Sequence, residues 1–238
     1  MAPEALIFDV FGTVVDWRRS VAAEVARALP AVDPTAFADA WRARYDPAMA
    51  PIRGGERPYT PLDVLHRENL DATLADVGAT LPEAAAARLA RVWERLAPWP
   101  DAVPGLTVLK AHAIIAPCSN GSIALMTRLA KFAGLPWDCI LGAEIAQAYK
   151  PDPRVYRACA AALRLPPERV MMVAAHNGDL RAARAEGLMT AFLPRPEEHG
   201  PGQTTDLGPE GPWDVVATDI LDLAAQVAGT TGVGESGG

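Results

Sequence analysis

Four short segments of the chain carry residue types that could do chemistry together. Asp9, the turn Ser119-Asn120-Gly121, Lys150 and Asp179 each follow a different apolar stretch of the sequence. An ionised carboxylate is competent for covalent catalysis, and a nearby lysine would keep it ionised. A hydroxyl-amide-glycine turn at the start of a helix could hold an anion. Together these residue types indicate a site for nucleophilic chemistry on an anionic substrate.

Each segment also has an ordinary structural explanation when taken alone. The single-residue alternatives are a turn or cap for Asp9, a cap of the helix from Ser122 for Ser119-Asn120-Gly121, a surface position for Lys150, a helix cap for Asp179, and a satisfied loop histidine for His176. All of these explanations would have to hold at once for the chemistry to be absent. The joint arrangement therefore favours a functional site.

The four segments follow four predicted strands. Short continuous apolar runs are typical of strands buried on both faces. The predicted strands are 5–8, 113–116, 139–142, 170–173, 190–193 and an edge strand at 213–217, and the helices between and after them are 122–133, 153–163, 179–186 and 220–227. This alternation predicts an α/β fold with a doubly wound parallel, Rossmann-like core. Ligands of such sheets bind beyond the carboxyl ends of the strands, so the four segments should meet there.

A long stretch without strand patterns separates the first strand from the others. It predicts a helix capped by Asp16 or Ser20 and ending at Pro30, and further helices opening at Asp33-Pro34, Thr60-Pro61 and Leu81-Pro82. Residues 46–60 are predicted to be a loop because they are rich in proline and glycine, and Pro98, Pro100 and Pro104 mark a boundary. The predicted domains are a core of 1–15 and 98–228, an all-helical cap of 16–97, and a flexible tail of 229–238.

Composition limits the class of protein. The chain has 238 residues, of which 50% are hydrophobic and 21% charged, and a net charge of −7 without a basic cluster. These values exclude a disordered polymer and argue against a nucleic-acid partner. The three cysteines lack metal or redox spacing, which predicts free thiols. Acidic residues in the first apolar run argue against a signal peptide, and no run approaches the roughly 20 residues of a membrane span. A cytoplasmic location without a membrane partner is the expectation.

In their order and spacing the four segments resemble the four motifs of the haloacid dehalogenase superfamily. The resemblance extends from residue 5 to about residue 227, with the cap inserted after the first motif. Most members are phosphatases, which usually carry a second Asp two residues after the first and an acidic Mg²⁺ ligand early in the fourth motif. This chain has Phe11 and Ala175 there. Phe11 cannot transfer a proton and Ala175 cannot bind a cation, so neither phosphatase activity nor a metal or cofactor is expected.

These departures resemble the type II (S)-2-haloacid dehalogenases, which carry an aromatic residue at the Phe11 position and work without metal. The resemblance implies that Asp9 displaces halide from C2 of a 2-haloalkanoate, and that Lys150 and the Asp179 loop position water to hydrolyse the resulting ester. It also implies roles for further residues: Ser119 and the amides of Val10 and Phe11 for the substrate carboxylate, Arg42 (beside Trp41) and Asn120 for the halide, and Thr13, Tyr156 and Asn177 for shaping the site.

The fourth motif departs from this family as well. The family commonly has Ser-Asn early in the motif and an aromatic residue before the Asp, whereas this chain has Ala174-Ala175-His176 and Gly178. His176 adds a donor for halide or water, and Gly178 should open the pocket. The preferred halogen stays open, and fluoroacetate is among the candidate substrates. The alternatives are a Mg²⁺-dependent phosphatase, a hydrolase that opens a C2–N ring, and a binding module without turnover. Family habit also suggests a homodimer.

Overall fold

The computed structural model describes residues 2–231, and its centre is a six-stranded sheet. Its strands are β1 (Ala5–Phe8), β4 (Ile114–Ser119), β5 (Leu141–Gly142), β6 (Val170–Ala174), β7 (Met189–Phe192) and β8 (Val215–Val216); a separate antiparallel ribbon joins β2 (Val15–Asp16) to β3 (Ala97–Pro98). The order across the sheet is β5-β4-β1-β6-β7-β8, and all neighbouring strands are parallel, which confirms the predicted doubly wound α/β core.

Alternate side chains of β1 face opposite layers of helices. Leu6 and Phe8 pack in one apolar cluster with the first layer, and Ala5 and Ile7 pack in a second cluster with the other. The first layer consists of α6 (Ala102–Lys110), α7 (Ile123–Ala133) and α11 (Ile220–Thr231); the second contains α9 (Pro153–Ala162) and α10 (Asn177–Ala185), with the short α8 (Ala143–Ala146) leading into it. Burial on both faces explains why the strands read as continuous apolar runs.

The register of the central strands brings their carboxyl ends to one edge. Phe8 of β1 lies beside Pro117 of β4 on one side and Val173 of β6 on the other. β5 can approach β4 because Gly142 has no side chain: a Cβ there would lie 2.2 Å from the Ser119 carbonyl oxygen. The segments that follow β1, β4 and β6 therefore leave the sheet side by side.

Five helices and a 3-10 turn form an insert between β2 and β3. The helices are α1 (Trp17–Ala28), α2 (Pro34–Ala43), α3 (Tyr45–Arg53), α4 (Leu62–Asp76) and α5 (Glu83–Ala90), and the turn is Arg91–Glu94. Aromatic rings fill its interior, where His66 and Trp93 stack with ring centroids 4.2 Å apart. We propose the β2–β3 ribbon as the neck between a core and this helical cap.

Capping residues set the start of several of these helices. The Asp16 side chain accepts a hydrogen bond from the Arg19 amide, so Asp16, and not Ser20, caps α1. Asp33 accepts from the Thr35 and Ala36 amides at the start of α2, where Pro34 stands at the first helical position. Both helix starts can be predicted from the sequence.

One sequence expectation about prolines was wrong: residues 46–60 are not all loop, since α3 continues to Arg53. A helix that sequence analysis did not predict, α6, follows the boundary marked by Pro98 and Pro100. Pro47 and Pro104 each occupy the first turn of their helix, where the missing N–H would have had no helical partner in any case. Burial of Met49 and Ile52 in α3 compensates for the interior Pro51. Apolar burial therefore outweighed the local proline signal.

Three other expectations concern the last residues, the cysteines and the membrane. The predicted tail of 229–238 is helical as far as Thr231, and its remainder lies outside the described residues. Cys118, Cys139 and Cys159 are free thiols, as predicted. Within residues 2–231 no helix has the length and apolar character needed to cross a membrane.

Candidate active site

A pocket of about 320 Å³ opens at the carboxyl edge of the sheet, between the sheet and the helical insert. Its wall combines carboxylates, cations and aromatic rings drawn from both regions. The lining residues are Asp9, Phe11, Arg42, Tyr45, Asp46, Asn120, Lys150, Pro151, His176, Gly178 and Asp179. The four segments predicted to converge do meet here.

Asp9 follows β1 at the floor of the pocket and is almost completely buried. Its Oδ1 accepts a hydrogen bond from Lys150 Nζ at 2.8 Å, and its Oδ2 accepts one from Thr13 Oγ1 at 2.7 Å. The Thr13 oxygen in turn accepts from the Ala175 amide at 2.9 Å, which fixes the hydroxyl. Burial alone would raise the pKa of Asp9, but the charge of Lys150 and the hydrogen bond from His176 lower it well below its usual value. Asp9 is therefore an ionised carboxylate.

Lys150 lies between two carboxylates. Its ammonium contacts Asp9 and also Asp179, whose other oxygen accepts a hydrogen bond from the Tyr156 hydroxyl. Burial alone would lower the pKa of Lys150, but the charges of Asp179 and Asp9 raise it well above its ordinary value. The Lys150 amide also donates to Asn120 Oδ1 at 2.8 Å, so the lysine segment is tied to the turn after β4.

His176 joins Asp9 to a buried carboxylate that sequence analysis did not identify. Its Nδ1 lies 3.2 Å from Asp9 Oδ2, and its Nε2 lies 2.8 Å from Glu198 Oε2. Burial alone would lower the pKa of His176, but the charge of Glu198 and the hydrogen bonds to Asp9 and Glu198 raise it well above 6.5. His176 is therefore an imidazolium that donates from both ring nitrogens.

Glu198 is held in place from three directions. Its Oε1 accepts from the Trp17 indole N–H at 3.1 Å, and His199 Nε2 lies 3.6 Å from the same oxygen. The carboxylate fits only because Gly12 has no side chain, since a Cβ there would lie 2.1 Å from Oε1; Gly12 also adopts φ +91°. The glycine of the first motif thus makes room for an acid from a distant part of the chain.

The helical insert supplies a cation, Arg42, and an aromatic ring, Tyr45, to the pocket. The Arg42 guanidinium lies over the Tyr45 ring at 3.9 Å and over the Trp17 ring at 5.5 Å. No carboxylate within residues 2–231 forms an ion pair with Arg42, and its buried Nε has no hydrogen-bond partner there. Phe11 packs edge-on against Trp93 beside it. The insert therefore offers an uncompensated cation against an apolar wall, which suits an anion.

The turn after β4 lies next to the pocket. Asn120 lines it, whereas Ser119 is 1% exposed and its hydroxyl accepts from the Gly121 amide at 3.1 Å. Within residues 2–231, the backbone N–H groups of Val10 and Phe11 donate to no backbone oxygen. Ser119 and Val10 do not line the pocket, although each is next in sequence to a residue that does.

The structure turns Asn177 away from the pocket. Its side-chain nitrogen donates to Asp206 Oδ1 and the Gly208 carbonyl, and its oxygen accepts from the Glu210 amide and the Trp213 indole. The residue is completely buried. It therefore fixes the segment of residues 206–213 and does not line the pocket that it was expected to shape.

Among the residues that the structure describes, the acidic and histidine side chains do not form a cation site. Within residues 2–231 no group of three or more His, Cys, Asp or Glu has a geometry that could hold a metal ion. Asp9 and Asp179 face each other across Lys150 Nζ, so an ammonium stands between the two carboxylates. Ala175 contributes only its backbone N–H, to Thr13.

Sequence reasoning missed the parts of the site that come from irregular segments. Tyr45 and Asp46 lay in or beside a predicted loop, and Glu198 lies in the long connection after β7, which has no motif. One signal was available: Pro194-Arg195-Pro196-Glu197-Glu198-His199 places four ionisable residues directly beyond a strand end. Strand ends of such sheets are where ligand-binding residues collect.

Comparison with known proteins identifies the class of this fold and site. The profile of the haloacid dehalogenase-like hydrolases matches residues 3–187, and the chain belongs to that family. Within the family it is of the L-2-haloacid dehalogenase type, whose members are hydrolases acting on carbon–halide bonds.

Three solved structures show this most directly. The defluorinating L-2-haloacid dehalogenase Rha0230 is 53% identical, with a TM-score of 0.94 and coverage of 95% of each chain. The L-2-haloacid dehalogenase PA0810 is 47% identical, with a TM-score of 0.93 and coverage of 95% of this chain and 99% of its own. The L-2-haloacid dehalogenase of Xanthobacter autotrophicus with chloropropionic acid covalently bound is 26% identical, with a TM-score of 0.82 and coverage of 95% and 99%.

Proposed function

We propose that the protein converts short 2-haloalkanoates to 2-hydroxy acids and halide through an ester on Asp9, without a metal ion. The observation that carries this proposal is the setting of Asp9 itself. It is a buried, ionised carboxylate in a pocket lined by cations, carboxylates and aromatic rings, with Lys150, Thr13 and His176 all directed at its two oxygens. Such a carboxylate is a competent nucleophile.

The leaving group decides which displacement this site can support. Halide leaves as an anion without a proton, so the reaction needs no acid at the position of Phe11. Arg42 has no carboxylate partner among the described residues, and together with Asn120 it forms the halide site in this proposal. The leaving group of a phosphate ester is an alkoxide, and its departure needs a proton and a charge-neutralising cation, neither of which Phe11 and Ala175 supply. The geometry therefore favours dehalogenation over phosphatase chemistry.

The substrate carboxylate has donors next to Asp9. We place it at the amides of Val10 and Phe11 and at the Ser119 hydroxyl, which would have to turn from Gly121. Lys150, with Asp179 and Tyr156 behind it, keeps the ester carbonyl of Asp9 in position for water. The covalent adduct in the Xanthobacter autotrophicus enzyme supports an ester intermediate. Because the relative Rha0230 is a defluorinating enzyme, we include fluoroacetate among the substrates of this chain.

Oxygen labelling tests the nucleophile. In a single turnover in ¹⁸O-water with enzyme in excess, the product oxygen should come from Asp9, and the label should appear on the peptide containing Asp9. Mass analysis of both separates this outcome from direct attack of water on C2, which would label the product and leave the peptide unlabelled. Direct labelling of the product would refute the proposed mechanism.

Halide release measures the substrate range and the metal requirement. Fluoro-, chloro- and bromoacetate and both 2-chloropropionate enantiomers should be assayed with and without excess chelator. For each substrate, the chelator should leave the activity unchanged. Phosphate release from an aryl phosphate that needs Mg²⁺ would instead support the phosphatase alternative. The homodimer and the cytoplasmic location suggested by the family resemblance remain proposals, and sedimentation of the purified protein tests the former.

A further inference from the structure

His176 has a second carboxylate partner that nothing in the reaction outlined above requires. One ring nitrogen faces the nucleophile, Asp9, at 3.2 Å, and the other faces Glu198 at 2.8 Å. The ring lines the pocket and is partly exposed to it, whereas the Glu198 side chain behind it is 2% exposed. A buried acid that orients a pocket histidine toward the reacting group is the arrangement of a general base and its positioning residue.

We propose that His176, oriented by Glu198, is the base that activates water for hydrolysis of the Asp9 ester. This inference rests on the proposed function, because it concerns the second step of that reaction. His176 would be the catalytic residue of this step, and Glu198 a positioning residue that acts through it.

Asp179, the other candidate base, is engaged through both of its oxygens. One accepts from Lys150 and the other from the Tyr156 hydroxyl. Taking a proton would neutralise the charge that pairs with the buried Lys150 ammonium. Its position suits a different task, which is to hold the Lys150 ammonium against Asp9.

Formation of the ester changes the charge that His176 faces. The charged and titratable groups around the imidazole are Asp9, Glu198, His199, Lys150, Asp179 and Arg42. In the resting enzyme Asp9 and Glu198 both stabilise the imidazolium. Alkylation converts the Asp9 carboxylate to a neutral ester, so one of the two anionic contacts is lost while the cations remain. The pKa of His176 then falls, and the Nδ1 proton is released to solvent.

The neutral imidazole that results has the correct tautomer for a base. Nε2–H still donates to Glu198, and Nδ1 carries a free lone pair beside the Asp9 carbonyl. Nδ1 removes one proton from a water whose oxygen bonds to the Asp9 carbonyl carbon. The bond from that carbon to the product oxygen then breaks, and the product oxygen takes the remaining water proton. Asp9 is again a carboxylate and His176 an imidazolium, and the one proton that the overall reaction produces is the one released earlier.

Transient kinetics of His176→Gln test this assignment with chloroacetate. The variant should release about one chloride per site at a rate near that of the wild type and then turn over about 100-fold more slowly or worse. Intact-protein mass should show the ester accumulating on the peptide containing Asp9. His112→Gln is the matched control, since His112 is exposed on the turn before β4 and should leave both phases unchanged.

The pH dependence of ester hydrolysis tests the part played by Glu198. In the wild type the single-turnover hydrolysis rate should rise with pH and level off, because the neutral imidazole is the active form. Glu198 stabilises the imidazolium, so Glu198→Gln should move this rise to lower pH and reduce the plateau. A flat wild-type profile, or an unshifted profile in the Glu198 variant, would overturn the proposal even if His176→Gln does not fold.

The remaining outcomes separate the two hypotheses. If the wild type dehalogenates and His176→Gln turns over at the same rate, the base assignment fails and the dehalogenase function stands. If the variant loses the chloride burst itself, His176 acts in cleavage of the carbon–halogen bond and the base assignment again fails. If the wild type releases no halide from any 2-haloacid, the proposed function fails, and this inference with it.

Discussion

At the scale of single residues, the site is organised by the pairing of buried charges. Asp9, Asp179 and Glu198 alternate with Lys150 and His176, and each of the two cations lies between two of the carboxylates. Removing one member of a buried pair leaves its partner unpaired, at a cost of about 3–5 kcal/mol. Arg42 stands outside this chain of pairs, because no carboxylate among residues 2–231 is bonded to it. Its role is therefore separable from folding.

We expect Arg42→Ala to lower kcat/KM for chloroacetate by about 100-fold or more, because the leaving halide loses a preorganised cation in a water-poor site. The free energy of unfolding should fall by only about 1 kcal/mol, since the contacts with the Tyr45 and Trp17 rings are lost but no ion pair is removed. The control is Arg44→Ala on the same stretch of chain, where an exposed pair with Asp76 is lost and activity should stay near the wild-type value. Chloride release and urea unfolding of both variants check this prediction, and comparable activities in the two would assign Arg42 to the surface.

At the scale of elements, hydrogen bonds from the long connection after β7 fix the position of the first motif relative to the sheet. Arg195 forms a bidentate pair with Asp101 at 2.7 and 2.8 Å, and its Nε donates to the Thr13 carbonyl at 3.0 Å. Asp101 also accepts from the Ile220 amide at the start of α11. One buried ion pair thus joins the Asp9 loop, α6 and α11, and the same connection delivers Glu198.

The sequence predicted the elements with strong local patterns and missed those fixed by distant contacts. The strands β1, β4 and β6 can be recognised because burial on both faces leaves mostly apolar residues in them. Their recognition also gives the order of Asp9, Ser119 and the fourth motif along the chain. Glu198 could not be predicted, because its position depends on space left by Gly12 and on a hydrogen bond from Trp17. The contacts of Asn177 could not be predicted for a related reason: the segment it anchors carries no pattern of its own.

We expect Asp101→Asn to lower the free energy of unfolding by about 3 kcal/mol at pH 7, because the buried Arg195 loses its counter-charge. Asp71→Asn, which alters an exposed pair with Arg67, should cost less than about 1 kcal/mol. Burial alone would raise the pKa of Asp101, but the hydrogen bonds from Arg195 and the Ile220 amide lower it below its usual value.

The direction of this shift fixes the pH dependence. A carboxylate with a lowered pKa in the folded state stabilises the protein above its unfolded pKa of about 3.9, and that stabilisation is lost as the pH falls. The difference between the wild type and Asp101→Asn should therefore be full at pH 7 and shrink between about pH 5 and pH 3. Urea unfolding across that range measures it, and a difference that grows on acidification would contradict the assignment.

At the scale of the whole molecule, the pocket draws its walls from two regions, the edge of the sheet and the helical insert. Asp9, Lys150, His176 and Asp179 come from the strand ends of the sheet, and Arg42 and Tyr45 come from the helical insert. The pocket encloses about 320 Å³, and a ligand that reaches from Asp9 to Arg42 contacts both regions at once. Binding should therefore raise the free energy of unfolding of the whole chain, by an amount that increases with the affinity of the native site for the ligand.

Asp9→Asn provides the test, because it should bind a 2-haloacid without consuming it. At 100 times its dissociation constant, 2-chloropropionate should stabilise this variant by about 2.7 kcal/mol, which for a chain of this size corresponds to a rise of about 5–10 °C in the melting temperature. The neutral 2-chloropropionamide should have little effect, because the site recognises a carboxylate. Combining Asp9→Asn with Arg42→Ala should reduce the rise, since one of the two regions then loses its contact. An equal rise with acid and amide would show that the anion is not recognised.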